Sequence, residues 1–415
     1  MAKRNPPTTC KTSSELWVPE CSGFLLGCLL AFALQIFFFS SPVSSATFVP
    51  TNSSFKGMIK LGEGIVNHPE DVSVDGNGVL YTATGDGWIK RMHPNGTWED
   101  WHQVGSQSLL GLTTTKENNV IIVCDSQQGL LKVSEEGVTV LVSQFNGSQL
   151  RFANDVIEAS DGSLYFTVSS TKFTPAEYYL DLVSGEPHGV LLKYDPSTNQ
   201  TSLVLDGLYF ANGVALSEDE RFLVVCESWK FRCVKHFLKV SGRTDREIFI
   251  DNLPGGPDNV NLARDGSFWI SIIKVLKFIS LVLLKRKGGS NEKSFKAKTD
   301  VYLRILDRKN YAANLNNLHM LLQMDPKGIQ ALQSCKERKQ LLEAYPELIK
   351  LLIPLGKQAA AAVVNVKADG RLNREISDPN ATDISFVTSA QGHDNNLYLA
   401  SINSDFIGKL PLRPL

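Results

Sequence analysis

Four segments of this chain open on a residue able to hold a cation and reach a large apolar residue ten positions later. The pairs are Glu70/Leu80, Asn154/Leu164, Asn212/Phe222 and Asp258/Phe268, within the strings PEDVSVDGNGVLYTAT, ANDVIEASDGSLYFTV, ANGVALSEDERFLVVC and PDNVNLARDGSFWISI. Two further copies, at Leu110/Val120 and Val387/Leu397, keep the spacing and lose the polar head. Each copy reads as a short strand, a Gly, Asp or Asn turn, and a second strand rich in Val, Leu, Tyr, Phe and Trp. Further strands follow most copies, such as Trp88–His93 with Thr97–Trp101 and Val190–Tyr194 with Ser202–Leu205. Each unit therefore predicts one antiparallel sheet, repeated along the chain as propeller blades are. A β-sandwich also supplies short strands, but gives no reason for one position per unit to be either a metal-type ligand or a single apolar residue. In a propeller the inner strands start near a common channel, where equivalent positions converge. The expected fold is all-β, a six-bladed β-propeller whose last blade takes a strand from the segment before Glu70.

The flanking chain does not share this pattern. Lys3, Arg4 and Lys11 precede an apolar run from Gly23 to Phe39, broken only by Gln35. That run is near the lower length for a membrane span and longer than most signal-peptide cores, and Ser44-Ser45-Ala46 offers small residues for cleavage. Residues 1–46 are read as a signal anchor or a cleaved signal peptide, and residues 47–415 as the propeller. Both readings send the chain into the secretory pathway, to the endoplasmic reticulum membrane or lumen or the vacuole, with a membrane partner only if the segment is uncleaved. Sequons at Asn52, Asn95, Asn146, Asn199 and Asn380 agree with a lumenal glycoprotein. With 42 basic and 43 acidic residues the chain carries no charge excess that implies a nucleic-acid partner. No CxxC pair and no HxH or HExxH spacing occurs, so a zinc site is not indicated. Cys226 and Cys233 are placed either to form a disulfide or to lie as two buried thiols.

One region departs from the repeat. Lys274–Leu318 carries an apolar stretch, Val275–Leu284, too short to span a bilayer, followed by KRKGGSNEKSFKAK. Asp325–Leu352 then has the amphipathic spacing of a helix, a helical excursion within blade five. Val363–Val366 and the turn at Asp369-Gly370 resume the β pattern.

Several long strings, FANDV, FANGVAL, VVCESWKFRC, GGPDNVNLARDGSFW, SFVTSA and FIGKLPL, closely resemble the strictosidine synthase-like proteins of plants. The resemblance covers roughly Leu61–Ile273 and His319–Leu412, and Lys274–Leu318 has no counterpart in it. It implies a six-bladed propeller related more distantly to calcium-dependent paraoxonases and gluconolactonases. True strictosidine synthases condense tryptamine with secologanin using a glutamate in the last blade. That position falls at about Thr388 here, and a threonine cannot serve as that base at neutral pH.

Likeness to the hydrolase branch implies a channel calcium held by Glu70, Asn154, Asn212, Asp258 and Asn259. It also implies a second, structural calcium at Asp71, Asp155 and the carbonyl near Leu112. Calcium is a hard ion that takes six or more oxygens, and mixed carboxylates and amides supply them without excess charge. The histidine pair of paraoxonase-type enzymes falls near Leu110 and Asp125. Asp125 and Glu227 are the carboxylates left to act as general base, and His68, beside Glu70, is a further residue to test. The function expected is calcium-dependent hydrolysis of small esters or lactones. The alternatives are a calcium-stabilised propeller that binds a ligand or partner without turnover, and an alkaloid-forming condensing enzyme.

Overall fold

The protein was analysed as a computed structural model, which describes residues 54–105, 108–184, 186–238, 246–273, 361–378 and 381–412. Six four-stranded antiparallel sheets follow one another along the chain. Their inner strands are Pro69–Val74, Leu109–Thr114, Ala153–Glu158, Ala211–Leu216, Gly256–Leu262 and Val387–His393. These strands head blades one to six in sequence order. The ten-residue spacing has a direct cause. An inner strand and a tight turn separate each head from the first residue of the second strand, so that Val74 pairs with Leu80 and Leu216 with Leu223.

Ring closure follows the expected route. Ile59–Leu61 pairs antiparallel with Ile407–Pro411 and becomes the outer strand of blade six. This joins the two ends of the described chain and leaves no gap at the last blade. The apolar core lies in slices between neighbouring sheets. Tyr81, Ile89, Leu112 and Val123 fill the slice between blades one and two, and Trp269, Val363, Val387 and Leu399 fill that between five and six. Each fully buried side chain of this size contributes about 1.5–3 kcal/mol.

Blade five is complete despite its long connection. Ile273 pairs with Ala361, so residues 274–360 leave and re-enter at a single rim position. The segment 274–318, the helix expected over Asp325–Leu352, the leader 1–46, Asn52 and Asn380 lie outside the described residues. Among the described residues no helix is long and apolar enough to cross a membrane. Cys226 and Cys233 are directly paired across two adjacent strands of blade four and form a disulfide. Asn95, Asn146 and Asn199 stand exposed in turns.

Two glycines set how closely the inner strands approach. A Cβ on Gly111 would meet the Asp155 Oδ1 at 2.5 Å and the Asn154 carbonyl at 2.7 Å. One on Gly213 would collide with the Val260 amide and stand 2.6 Å from the Asp258 carbonyl. Gly111→Ala and Gly213→Ala are each expected to destabilise the fold by about 1–3 kcal/mol, as overpacking does. Urea unfolding measures this, and wild-type stability in both variants would contradict so close a contact.

Candidate metal centre

Every inner strand carries a β-bulge at its head. The register shifts fall between Pro69 and Asp71, Leu109 and Leu112, Ala153 and Val156, Ala211 and Val214, Pro257 and Val260, and Val387 and Ser389. A regular strand sends consecutive side chains to opposite faces, whereas a bulge re-aims them. Adjacent residues such as Glu70 and Asp71 can therefore both serve the centre of the ring. Three of the inner strands are entered through non-glycine residues with left-handed backbone, His68 (φ 52°), Phe210 (φ 59°) and Phe386 (φ 50°). Such strain persists only where the surroundings enforce it.

The sequence-predicted donors converge. Asn259 of blade five donates from Nδ2 to the Glu70 carboxylate of blade one at 3.3 Å. Blade six lies between those blades in the ring, so the contact crosses the channel. Glu70, Asn154, Asn212, Asp258 and Asn259 are all buried. The side-chain oxygens of Asn154, Asn212 and Asn259 are buried with no hydrogen-bond partner. Two of these amides are oriented by their nitrogens, Asn259 by Glu70 and Asn212 by the Ser228 hydroxyl at 3.2 Å. Ser228 in turn donates to the Pro257 carbonyl at 2.7 Å. Three orphaned buried oxygens cost free energy unless a donor or a cation engages their lone pairs.

The carboxylates report the same imbalance. Burial, then the neighbouring charges of Asp258, Asp71 and Asp155, push the Glu70 carboxyl well above its usual range. Burial, offset in part by the Asn212 amide, pushes Asp258 up to about 7. No Lys or Arg is among the groups acting on either. Among the described residues no cluster of three or more His, Cys, Asp or Glu side chains has metal-holding geometry. This set mixes two carboxylates with three amides instead, an all-oxygen composition that suits a hard divalent cation and not zinc. The residues present fit calcium.

Asp71 and Asp155 join neighbouring blades. Asp71 accepts the Val72 amide on Oδ1 and the Leu112 amide of blade two on Oδ2, both at 2.8 Å. Asp155 repeats this with Val156 and with Val214 of blade four, both at 2.8 Å. Both carboxylates thus staple neighbouring blades through backbone amides.

Neither expected general base is free. Asp125 ends the second strand of blade two, and its Oδ1 accepts the Gln127 amide at 2.7 Å, the Gln128 amide at 2.9 Å and the Ser108 hydroxyl at 3.0 Å. That is the work of a turn-building aspartate. Glu227 accepts the Tyr209 amide at 3.0 Å and pairs with Arg232 at 2.5 Å. Both carboxylates are fully buried and occupied, which corrects their assignment as proton acceptors. Thr388 donates to the Glu70 carbonyl at 2.5 Å, so it too is structural. His68 is exposed, with Nδ1 against the Ile402 carbonyl at 2.8 Å.

A polar group that sequence reasoning missed stands on the same rim. Asp181, on the short helix Tyr178–Ser184, lies 3.0 Å from His188 Nδ1 and accepts the Trp229 indole N–H at 3.0 Å. Trp229 packs on Phe210 (4.3 Å between rings), and Phe210 on Phe152 (5.3 Å). The aspartate and histidine stand seven residues apart within a connection, and the tryptophan belongs to the next blade. No periodic signal in the sequence joins them.

The raised carboxylates predict the sign of a pH effect in chelator-treated protein. Asp258 at about 7 and Asp71 at about 6 compare with about 3.9 in an unfolded chain. Between these values the folded state keeps protons that the unfolded state has released. Their contribution is therefore fully present below about pH 4 and lost as the pH rises through about 7. Melting temperature is expected to fall from pH 5 to pH 8, and to fall less in Asp258→Asn. Parallel pH profiles in the two proteins would refute the assignment.

Comparison with known proteins agrees with this architecture. Residues 153–241 match the family described as strictosidine synthase, and residues 50–92 the family described as strictosidine synthase-like, N-terminal. Strictosidine synthase-like protein 4 of Arabidopsis thaliana is 35% identical over 245 residues, 56% of this chain and 65% of that protein. The match thus spans a little under two thirds of this relative's length. The adipocyte plasma membrane-associated protein of Rattus norvegicus is 26% identical over 402 residues, covering 92% of this chain and 93% of that protein. A gluconolactonase structure from Xanthomonas campestris superposes with a TM-score of 0.54 at 15% identity, covering 87% of this chain and 92% of the other. At that identity the likeness is one of fold. The repeated strings, the closed ring of six blades and the two family matches together make this chain similar to the strictosidine synthase-like propellers.

Proposed function

We propose that this chain is a calcium-dependent hydrolase of small esters or lactones, acting at the central channel. The observation that carries the reading is the set of three orphaned amide oxygens beside Glu70 and Asp258, buried without a compensating cation. Glu70, Asn154, Asn212, Asp258 and Asn259 would hold the ion. When bound, calcium supplies Lewis-acid polarisation of an acyl carbonyl and stabilises negative charge on its oxygen. The chain's own part is to fix the donors and exclude water. Asn212 is aligned through Ser228, and Asn259 through Glu70. The ring stack of Phe152, Phe210 and Trp229 offers an apolar wall for the acyl or leaving group.

The condensing reading is disfavoured by Thr388, whose hydroxyl is buried against the Glu70 carbonyl and has no basicity to offer. We further propose a lumenal site of action in the secretory pathway, in the endoplasmic reticulum or vacuole. The Cys226–Cys233 disulfide, the exposed sequons at Asn95, Asn146 and Asn199, and the apolar segment Gly23–Phe39 support it.

The test pairs calcium titration with turnover of phenyl acetate and dihydrocoumarin, with and without chelator. Wild type is expected to bind calcium and to lose turnover on chelation. Glu70→Gln and Asp258→Asn are expected to weaken calcium binding by about 100-fold or more and to abolish turnover. Calcium binding without turnover across such a panel would favour a non-catalytic propeller. No calcium binding would sink the reading.

A further inference from the structure

The His188–Asp181 pair occupies the donor rim of blade three. Ala153, which precedes Asn154, pairs with Val168, and Val168 pairs with Val190 in the strand that His188 leads into. Asn154 and His188 therefore lie toward the same end of one sheet, two strand spacings (about 10 Å) apart across it and about three residues (about 10 Å) apart along it.

The chemistry of the pair is specific. Asp181 is completely buried, while the His188 side chain keeps 15% of its surface exposed. A carboxylate only accepts, so the Nδ1 facing Asp181 at 3.0 Å carries a proton, which in the neutral tautomer leaves the lone pair on Nε2. Among the described residues Nε2 has no hydrogen-bond partner. The Phe173 ring, edge-on at 5.4 Å, limits rotation of the imidazole. The other Asp181 oxygen accepts the Trp229 indole N–H, and Trp229 follows Ser228, which orients Asn212. One aspartate thus couples the histidine to the aromatic wall and, through the adjoining residue, to a cation donor. Tying the helix to blade four needs only the Asp181–Trp229 bond. It does not require a histidine whose second nitrogen is left open.

We propose that His188 is the proton acceptor for ester or lactone hydrolysis in this channel, and that Asp181 is its positioning residue; this rests on the hydrolytic reading above. His188 Nε2 takes a proton from water as the water oxygen bonds to the acyl carbon, and the carbonyl π pair moves to the carbonyl oxygen. That pair then returns, the bond from the acyl carbon to the alkoxy oxygen breaks, and the departing oxygen takes the proton from Nε2. The products are a carboxylic acid and an alcohol, or one hydroxy acid from a lactone, and no further reactant is needed. Trp229, partly exposed and packed on the buried Phe210, lines one side of the substrate, which selects aryl or otherwise apolar groups over sugars.

The test uses the full chain with saturating calcium and the same two substrates. His188→Gln is expected to lower kcat by about 100-fold or more. KM and the calcium-binding midpoint are expected to stay within about threefold of wild type, the split expected when proton transfer alone is lost. Asp181→Asn is expected to lower kcat with the same unchanged KM, and added imidazole to restore part of the turnover of His188→Ala. Nitrogen-15 imidazole spectra of the metal-free wild type are expected to show His188 protonated on Nδ1, a preference lost in Asp181→Asn. A proton found on Nε2 overturns the proposal. So does a His188→Gln enzyme with wild-type kcat, which leaves the calcium-dependent hydrolase standing. A wild-type chain that hydrolyses neither substrate overturns both readings.

Discussion

The ring is organised by buried carboxylates and close backbone contacts at the heads of its inner strands. Asp71 reaches the Leu112 amide of blade two, and Asp155 the Val214 amide of blade four. Blades two and four have glycine at this position. Gly111 abuts Asn154 and Asp155, and Gly213 abuts the backbone of Asp258 to Val260. Ser271 donates to the Thr388 carbonyl at 2.5 Å, and Thr388 donates to the Glu70 carbonyl, which closes the circuit. All six seams are thus crossed either by a charge-assisted or hydroxyl hydrogen bond or by a contact too close for a Cβ. Charge-assisted bonds of this kind are about twice as strong as neutral ones.

Concentrating acidic groups there has an electrostatic consequence. Glu70 and Asp258 cannot be buried as charges without compensation, and the shifts in their carboxyls measure that cost. Protonation is one resolution and a bound cation is another. The three amide oxygens left without donors favour the second, because a proton on a carboxyl satisfies none of them. The same feature that stiffens the ring therefore prepares an ion site at its centre. Structural roles and the proposed metal-binding role share one set of strand heads.

The connection between Val168 and Gly189 contributes polar groups to this rim. It brings in Asp181 and His188. Loops of this kind carry specificity because they are free of the pairing that fixes the strands. The scaffold determines where a cation sits. The connections determine what can approach it.

Most of the architecture was legible in the sequence because side-chain alternation and turn chemistry repeat with the blades. The six heads, the closing strand before Glu70 and the cysteine pairing opportunity all follow from local pattern. The roles of individual carboxylates did not. Asp71, Asp155, Asp125 and Glu227 are all buried acids at strand ends, and sequence treats them alike. Bulges, cross-blade amides and Arg232 make the first two staples, the third a turn-builder and the fourth an ion-pair partner. His188 carried no signal, since its partners come from a helix in the same connection and from the next blade. The sequence by itself determined the repeat and the converging donors, because strand periodicity is a local property. Only the tertiary structure decided which oxygens stay unpartnered, because that depends on what each neighbouring blade presents across the seam.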